Sequence, residues 1–326
     1  MPGRLERLYQ KKLASLKEEH EAEINRVRGE FAGRARVFEE KQNGEKEVID
    51  GRIREAMAKV ADAWGRNVLP HDEALRGMDR RSREMFPPWT PGLCESWESP
   101  HDAPDSVRIG RILVDEAKLS GGIPSDDSLA LPEGLDLAVP FSLGFPHEGS
   151  LLIESDGSDD GASVRVLSTA VLRLLASHPP GRASFVFIDP VGLGKDFAGL
   201  MHLADYEETM INHRIWTQNT HIEERLAELN EHIEKVIQMY LRNEYADINA
   251  YNQQAGTIAE KYRFVVIAGF PAGFSDTAAK RLMAIASSGA RCGVHLLIQR
   301  DLRLPAPDPA LEDELRRVCR RLVLKD

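Results

Sequence analysis

The chain has 326 residues, with 42 Lys and Arg against 52 Asp and Glu and a net charge of −10. That balance disfavours a whole-chain nucleic-acid binder, which needs clustered cations for phosphate contacts, but leaves room for a local basic face. Its three cysteines, Cys94, Cys292 and Cys319, are odd in number and not at metal spacing, so no disulfide framework, zinc site or metal is expected. No apolar run reaches the roughly 18 residues of a membrane span, and MPGRLERLYQKKL has no signal-peptide core, so a reducing cytoplasm is the expected setting.

Residues 1–64 are highly charged, with apolar residues such as Leu13, Leu16, Ile24, Val27 and Phe31 at steps of mostly three and four. The pattern predicts a long amphipathic helix or coiled-coil arm. Gly29, Gly33, Gly44 and Gly51 weaken it. A hairpin broken near Asn43 and Gly44 is an alternative. The arm reads either as an oligomerisation or partner arm or as a solvated helix lying on its own domain. Residues 65–106, with six prolines and little periodicity, read as a linker that Trp89 and Trp97 tack onto a domain.

Residues 107–150 read as a β-rich segment: Val107–Val114 alternates with period two, and Leu135–Leu143 is a second strand. From Leu151 the chain alternates strands and helices. Gly149–Ile153, Ser184–Asp189, Phe264–Ala268 and Gly293–Gln299 are short apolar runs of the kind buried on both faces of a parallel sheet. Ala162–Ser177, His221–Tyr245 and Thr277–Ser288 are the helices between them. The fold class expected is therefore α/β, a three-layer domain with a mainly parallel sheet over 151–304, followed by a tail over 305–326. Ligands of such sheets sit beyond the strand carboxyl ends. Here that edge carries Asp156–Ser163, Asp189–Lys195, Gly269–Phe274, Arg300 and Asp301.

LLIESDGSDDGASVRVLSTAVLRLL, residues 151–175, has the layout of a phosphate-binding loop: strand, Gly-containing turn, apolar helix. Its chemistry is not that of G-x-x-x-x-G-K-[ST]. No lysine lies between Lys118 and Lys195, and Glu154, Asp156, Asp159 and Asp160 stand in the segment instead. One carboxylate about 4 Å from a phosphate oxygen costs roughly 4 kcal/mol at an effective dielectric of 20, more than the ~1 kcal/mol a helix N-terminus returns. Gly192–Lys195 is a shortened Gly-containing turn that reads as a phosphate loop or as a plain turn with an exposed lysine. His202, His213, His221 and His232 match no common metal spacing. Arg316, Arg317, Arg320, Arg321 and Lys325 form a basic face that reads as a DNA contact or as a solvated helix end.

The order of these pieces resembles the motor domain of FtsK/SpoIIIE-type DNA translocases, a RecA-like P-loop ATPase family, from about Leu137 to Asp301. LLIESDGSDDGASV stands where that family has its Walker A loop, and FVFIDP resembles its next strand. RLAELNEHIEKVIQMYLRNEYADINAYNQQ looks like its long helix and following turn, FVVIAGFPAGF stands at its Walker B strand, and ASSGARCGVHLLIQR resembles its strand ending in Gln-Arg. The resemblance implies a RecA-like core with a vestigial nucleotide site at Gly157, Gly161, Ser163, Asp189, Gln299 and Arg300. The Walker A lysine is absent, and the Walker B Asp and Glu fall on Ala268 and Gly269. With the metal-binding and water-polarising groups gone, no catalytic residue and no cofactor is expected. ATP and Mg²⁺ enter only if the altered site works, through Lys195 or Arg165. Asp189 has a simpler reading as a turn cap, and Arg300 as a partner of a nearby carboxylate.

A narrower resemblance is to the degenerate domains of EccC-type ATPases of type VII secretion. On this reading the chain is a non-catalytic module of an FtsK/SpoIIIE-like machine. Its expected partners are further copies of itself or an active ATPase domain in cis or trans, with DNA reached through the assembly. Arg321–Asp326 then reads as a strand that begins a further domain. The alternatives are an active ATPase with a non-standard site, an EccC-like fragment, or a coiled-coil scaffold.

Overall fold

A computed structural model describes residues 3–115, 118, 121–122, 124, 126–132, 137–159, 161–211 and 214–324. Leu135, Asp160, His213, Lys325 and Asp326, named above, lie outside the described residues, as does the side chain of Cys94. The chain divides into two compact units, residues 1–74 with 116–135, and residues 75–115 with 136–326.

The first unit is dominated by α1, Gly3–Asn67, a single 65-residue helix with no buried residue. It runs unbroken through Asn43 and Gly44, so there is no hairpin. None of Gly29, Gly33, Gly44 and Gly51 takes a left-handed backbone, and their positions are open to solvent. They therefore lower helix propensity without ending the helix.

The second unit begins inside α2, Leu69–Met85, and continues through α3, Pro91–Ser96. Much of the stretch expected as a linker is thus helical. It is held by polar contacts that hydrophobic periodicity does not display. Asp79 is buried and takes both oxygens of its carboxylate to Arg111, at 2.8 Å each, on β1, Ser106–Leu113. Arg173 lies 4.3 Å over the Trp89 ring and donates to the Pro87 carbonyl at 2.6 Å, and Trp97 Nε1 donates to the Ala176 carbonyl at 3.3 Å. The two tryptophans do tack this stretch onto the domain. β1 pairs antiparallel with β2, Ala138–Gly144, Val107 lying opposite Leu143.

The core is a five-stranded sheet. Its strands are β3, Leu151–Ser155; β4, Ala183–Ile188; β5, Tyr262–Phe270; β6, Val294–Asp301; and β7, Arg320–Leu324. Their order is β4-β5-β6-β3-β7 and every pairing is parallel. β3 and β4 are buried at every position, which is why they read as unbroken apolar runs. The connecting helices are α4, Ala162–Ser177; α5, Asn219–Lys235; α6, Ile248–Ala255; α7, Asp276–Ser288; and α8, Pro309–Val318. α4 carries the chain leftward from β3 to β4, and later connections carry it rightward. Right-handed crossovers then put α4 on one face and α5, α7 and α8 on the other. α7 accordingly touches both α5 and α8.

Two expectations need adjusting. The long helix expected to Tyr245 keeps α-helical bonding only to Lys235, then makes a π-helical turn to Leu241 and stops where Arg242 and Asn243 take positive φ. Residues 305–324, expected as part of a tail, join the domain: α8 buries Leu311 and Leu315, and β7 pairs with β3 from Leu151 opposite Arg320 to Ser155 opposite Leu324. The strand expected to begin a further domain is an edge of this sheet.

Candidate functional site

β3 and β6 are neighbours, but the chain leaves β3 for α4 on one face and leaves β6 for α8 on the other. The crevice between their carboxyl ends is the topological switch point, where an α/β sheet of this kind takes its ligand. Its walls are the Asp156–Ser163 turn and the residues after Asp301.

Several donors of the turn find acceptors within it. Gly157, at φ +86°, donates its N–H to Ser155 Oγ at 3.0 Å, and Ser158 donates to Asp156 Oδ1 at 3.1 Å. Gly161, at φ +73°, leads into α4. Ala162 N–H goes to the Asp159 carbonyl and Ser163 N–H to Asp159 Oδ2, both at 2.7 Å. The first turn of a helix leaves N–H groups that attract an anion; here the anion is the chain's own Asp159. Burial works to raise the Asp159 carboxyl, but hydrogen bonds from Ser163 and Ser155 outweigh it and hold the group below its usual range.

The opposite wall brings in a cation. Arg303 grips Asp301 with Nε at 2.9 Å and Nη2 at 2.7 Å, and its guanidinium lies against Gly157, where any Cβ would overlap it. This double hydrogen bond keeps the Asp301 carboxyl low. Asp159 and Arg303 thus stand on the two sides of the turn, the first bound to the Ser163 N–H and the second against Gly157.

The other groups of the expected site do not converge there. Asp189 ends β4, separated from β3 by β5 and β6, and is completely buried. It accepts N–H bonds from Gly192 at 2.7 Å, Gly194 at 2.9 Å and Asp196 at 3.2 Å. It is the cap of the Gly192–Lys195 turn, with Lys195 exposed. Gln299 reaches β5 and accepts the Gly269 N–H at 2.5 Å, bridging the irregularity between Ile267 and Phe270. Gly269 takes φ +69°, and a Cβ there would come within 2.7 Å of Val191 Cγ2. A glutamate at that position is therefore disfavoured by both backbone and space. Arg300 is buried, paired with Glu312 and donating to the Leu304 carbonyl at 3.0 Å. It faces its carboxylate partner, not the turn.

Glu154 also differs from expectation. It does not confront the crevice: it is buried beneath α8 and β7 and paired with Arg316 at 2.8 Å and Arg321 at 2.6 Å. Burial works to raise its carboxyl and the two arginines overcome it, leaving the group below its usual range. Arg317 pairs with Glu314 and Arg320 with Glu148, so all four arginines of the basic face have carboxylate partners. Among the described residues no cluster of His, Cys, Asp and Glu is disposed to hold a metal, and no helix is long and apolar enough to cross a membrane.

Arg303 and the capping role of Asp159 were missed from the sequence. An Asp just ahead of an apolar helix is a capping signal and was there to be read. Arg303 was not, because its contact with Gly157 is made across the switch point.

The fold defines an α/β domain with a parallel sheet whose switch point is bordered by Asp159 and Arg303. No protein-family model and no curated protein matches the chain. Among solved structures it is similar to the cytoplasmic domain of the Thermomonospora curvata type VII secretion ATPase EccC, at 20% identity, TM-score 0.46, 69% of this chain and 24% of that one. It is similar to EssC ATPases 2 and 3 from Geobacillus thermodenitrificans at 16%, TM-score 0.46, 73% and 40%. It is also similar to the pCW3 conjugation coupling protein TcpA, determined with ATPγS, at 16%, TM-score 0.41, 56% and 51%. The chain thus spans from about a quarter to half of these proteins' length. Likeness this distant leaves function to the chain's own residues.

Proposed function

We propose that the α/β unit is a nucleotide-independent, non-catalytic domain of an FtsK/SpoIIIE-type ATPase assembly, closer to the EccC kind than to a DNA translocase. It serves contacts with further copies or with an active ATPase domain, in cis or in trans. One observation carries the reading: the α4 N-terminus, where a P-loop holds phosphate, binds the Asp159 carboxylate at 2.7 Å through Ser163 N–H. The missing lysine, the Arg303 guanidinium against Gly157 and the positive φ of Gly269 support it. These features weigh against ATP and Mg²⁺ at this turn. The pairing of Arg316, Arg317, Arg320 and Arg321 with carboxylates weighs against a DNA-binding face.

The test is titration of the whole chain with a fluorescent ATP analogue, with and without Mg²⁺, to millimolar concentration. No saturable binding is expected. Saturable, Mg²⁺-dependent binding that is lost in Lys195→Ala or Arg165→Ala would replace this reading with an active ATPase using a non-standard site.

A further inference from the structure

We infer that α1 pairs along its length with α1 of a second copy of this chain, parallel and in register, on an 11-residue repeat. Leu5, Leu16, Val27, Phe38, Ile49 and Val60 recur every 11 residues, and all six are exposed. Four places after each stands Tyr9, His20, Phe31, Gln42, Ile53 or Trp64. Four further on come Leu13, Ile24, Ala35, Lys46 and Met57. Steps of four, four and three average about 3.67 residues per turn, which keeps these seventeen positions on one stripe of a gently right-handed coil. Fourteen of the seventeen are apolar.

The opposite face carries four of the six glycines of α1. Gly29, Gly33, Gly44 and Gly51 each lie two or six places after a residue of the first row, which turns them away from the stripe, and each meets nothing within 4 Å. A helix with four interior glycines is weak by itself, and long helices in proteins draw stability chiefly from packing their apolar face. The pattern therefore calls for a partner along the stripe. The seventeen positions with their two flanking rows supply the roughly 20–30 residues a side of a standard interface.

The polar positions select the partner. His20, Gln42 and Lys46 interrupt the stripe at unequal intervals. In a parallel, in-register pair each meets its own copy. Any shifted or antiparallel alignment of two such helices sets at least one of them against an apolar position. Polar core residues fix register in coiled coils in this way. The flanking charges support the choice at the centre: Glu23 falls opposite Arg28 and Arg34 opposite Glu39 of the second copy, each pair occurring twice. The like-charged pairs Lys12 with Lys17 and Glu45 with Asp50 lie on either side of that centre.

Sedimentation of the full chain at micromolar concentration tests the pairing, which is independent of the nucleotide reading; either can fail without the other. A dimer is expected, lost in the double variant Phe31→Glu with Ile53→Glu and retained in Gly29→Ala on the far face. Orientation is read from oxidative cross-linking of Val27→Cys and Val60→Cys, each prepared separately, against the unsubstituted chain as baseline. A disulfide-linked dimer is expected from each one. A monomer throughout, a dimer that survives the double glutamate variant, or a dimer in which either cysteine fails to cross-link would overturn the inference. A stripe that instead binds a different helical protein gives the monomer result.

Discussion

The turns after β3 and β4 use one device at two depths. Each follows a buried strand, each contains glycine at positive φ (Gly157 and Gly161 in the first, Gly194 in the second), and in each an aspartate side chain accepts from backbone N–H. Asp189 is completely buried and takes three such bonds, so its turn is a fixed part of the core. Asp159 is half-buried and takes one, from Ser163. A carboxylate in a nest of N–H groups is a structural pin when water is excluded and a replaceable plug when water can reach it. The β3 turn is therefore the one whose cap a substitution can displace at the smaller cost.

The largest effect expected is at the pin. Asp189→Ala leaves three N–H groups without acceptors and should lower unfolding free energy by about 3–5 kcal/mol in urea denaturation. A loss no larger than that of Asp159→Ala would erase the distinction between the turns.

Next comes Glu154→Gln, at the base of the β3 turn. Its arginine partners are more than a third exposed, at 38% for Arg316 and 49% for Arg321, so the cost should be nearer 2 kcal/mol than the full value of a buried pair. Because the Glu154 carboxyl titrates below its unfolded value of about 4.5, its contribution is complete above that pH and fades as pH falls through the lower, folded value. Glu154→Gln should therefore flatten the acid limb of stability against pH. The comparison is cleanest in a His295→Phe background. Burial pushes the His295 imidazole down to about 3, so the fold also loses stability through that group as pH drops from 6.5 toward 3. An acid limb unchanged by Glu154→Gln would mean the pair contributes nothing.

The smallest effect is at the plug. Asp159→Ala should cost about 1 kcal/mol, the ordinary value of a lost helix cap, and should free the α4 N-terminus. Inorganic phosphate should then raise the melting temperature of the variant and leave that of the natural chain unmoved. Equal response of both would show that Asp159 does not occupy the anion position.

Local pattern decided much of this protein. The long charged helix, the buried parallel strands and the Gly-containing turn after Leu151 follow from periodicity and composition, because a strand covered on both faces must be apolar at every position. Local composition also showed that the turn after Leu151 holds no lysine and that β5 ends without an Asp-Glu pair, and it gave the capping reading of Asp189. What the sequence could not decide were contacts between residues far apart in the chain. Glu154 became a buried partner of Arg316 and Arg321 only when β7 added beside β3. Arg303 reached Gly157 only because β6 ends next to β3. Asp79 and Arg111 turned an apparent linker into packed helix. In each case a charge is satisfied by a group 32 to 167 residues away, or a guanidinium fills a space left by a distant glycine. Such pairings depend on strand order, which no local periodicity encodes.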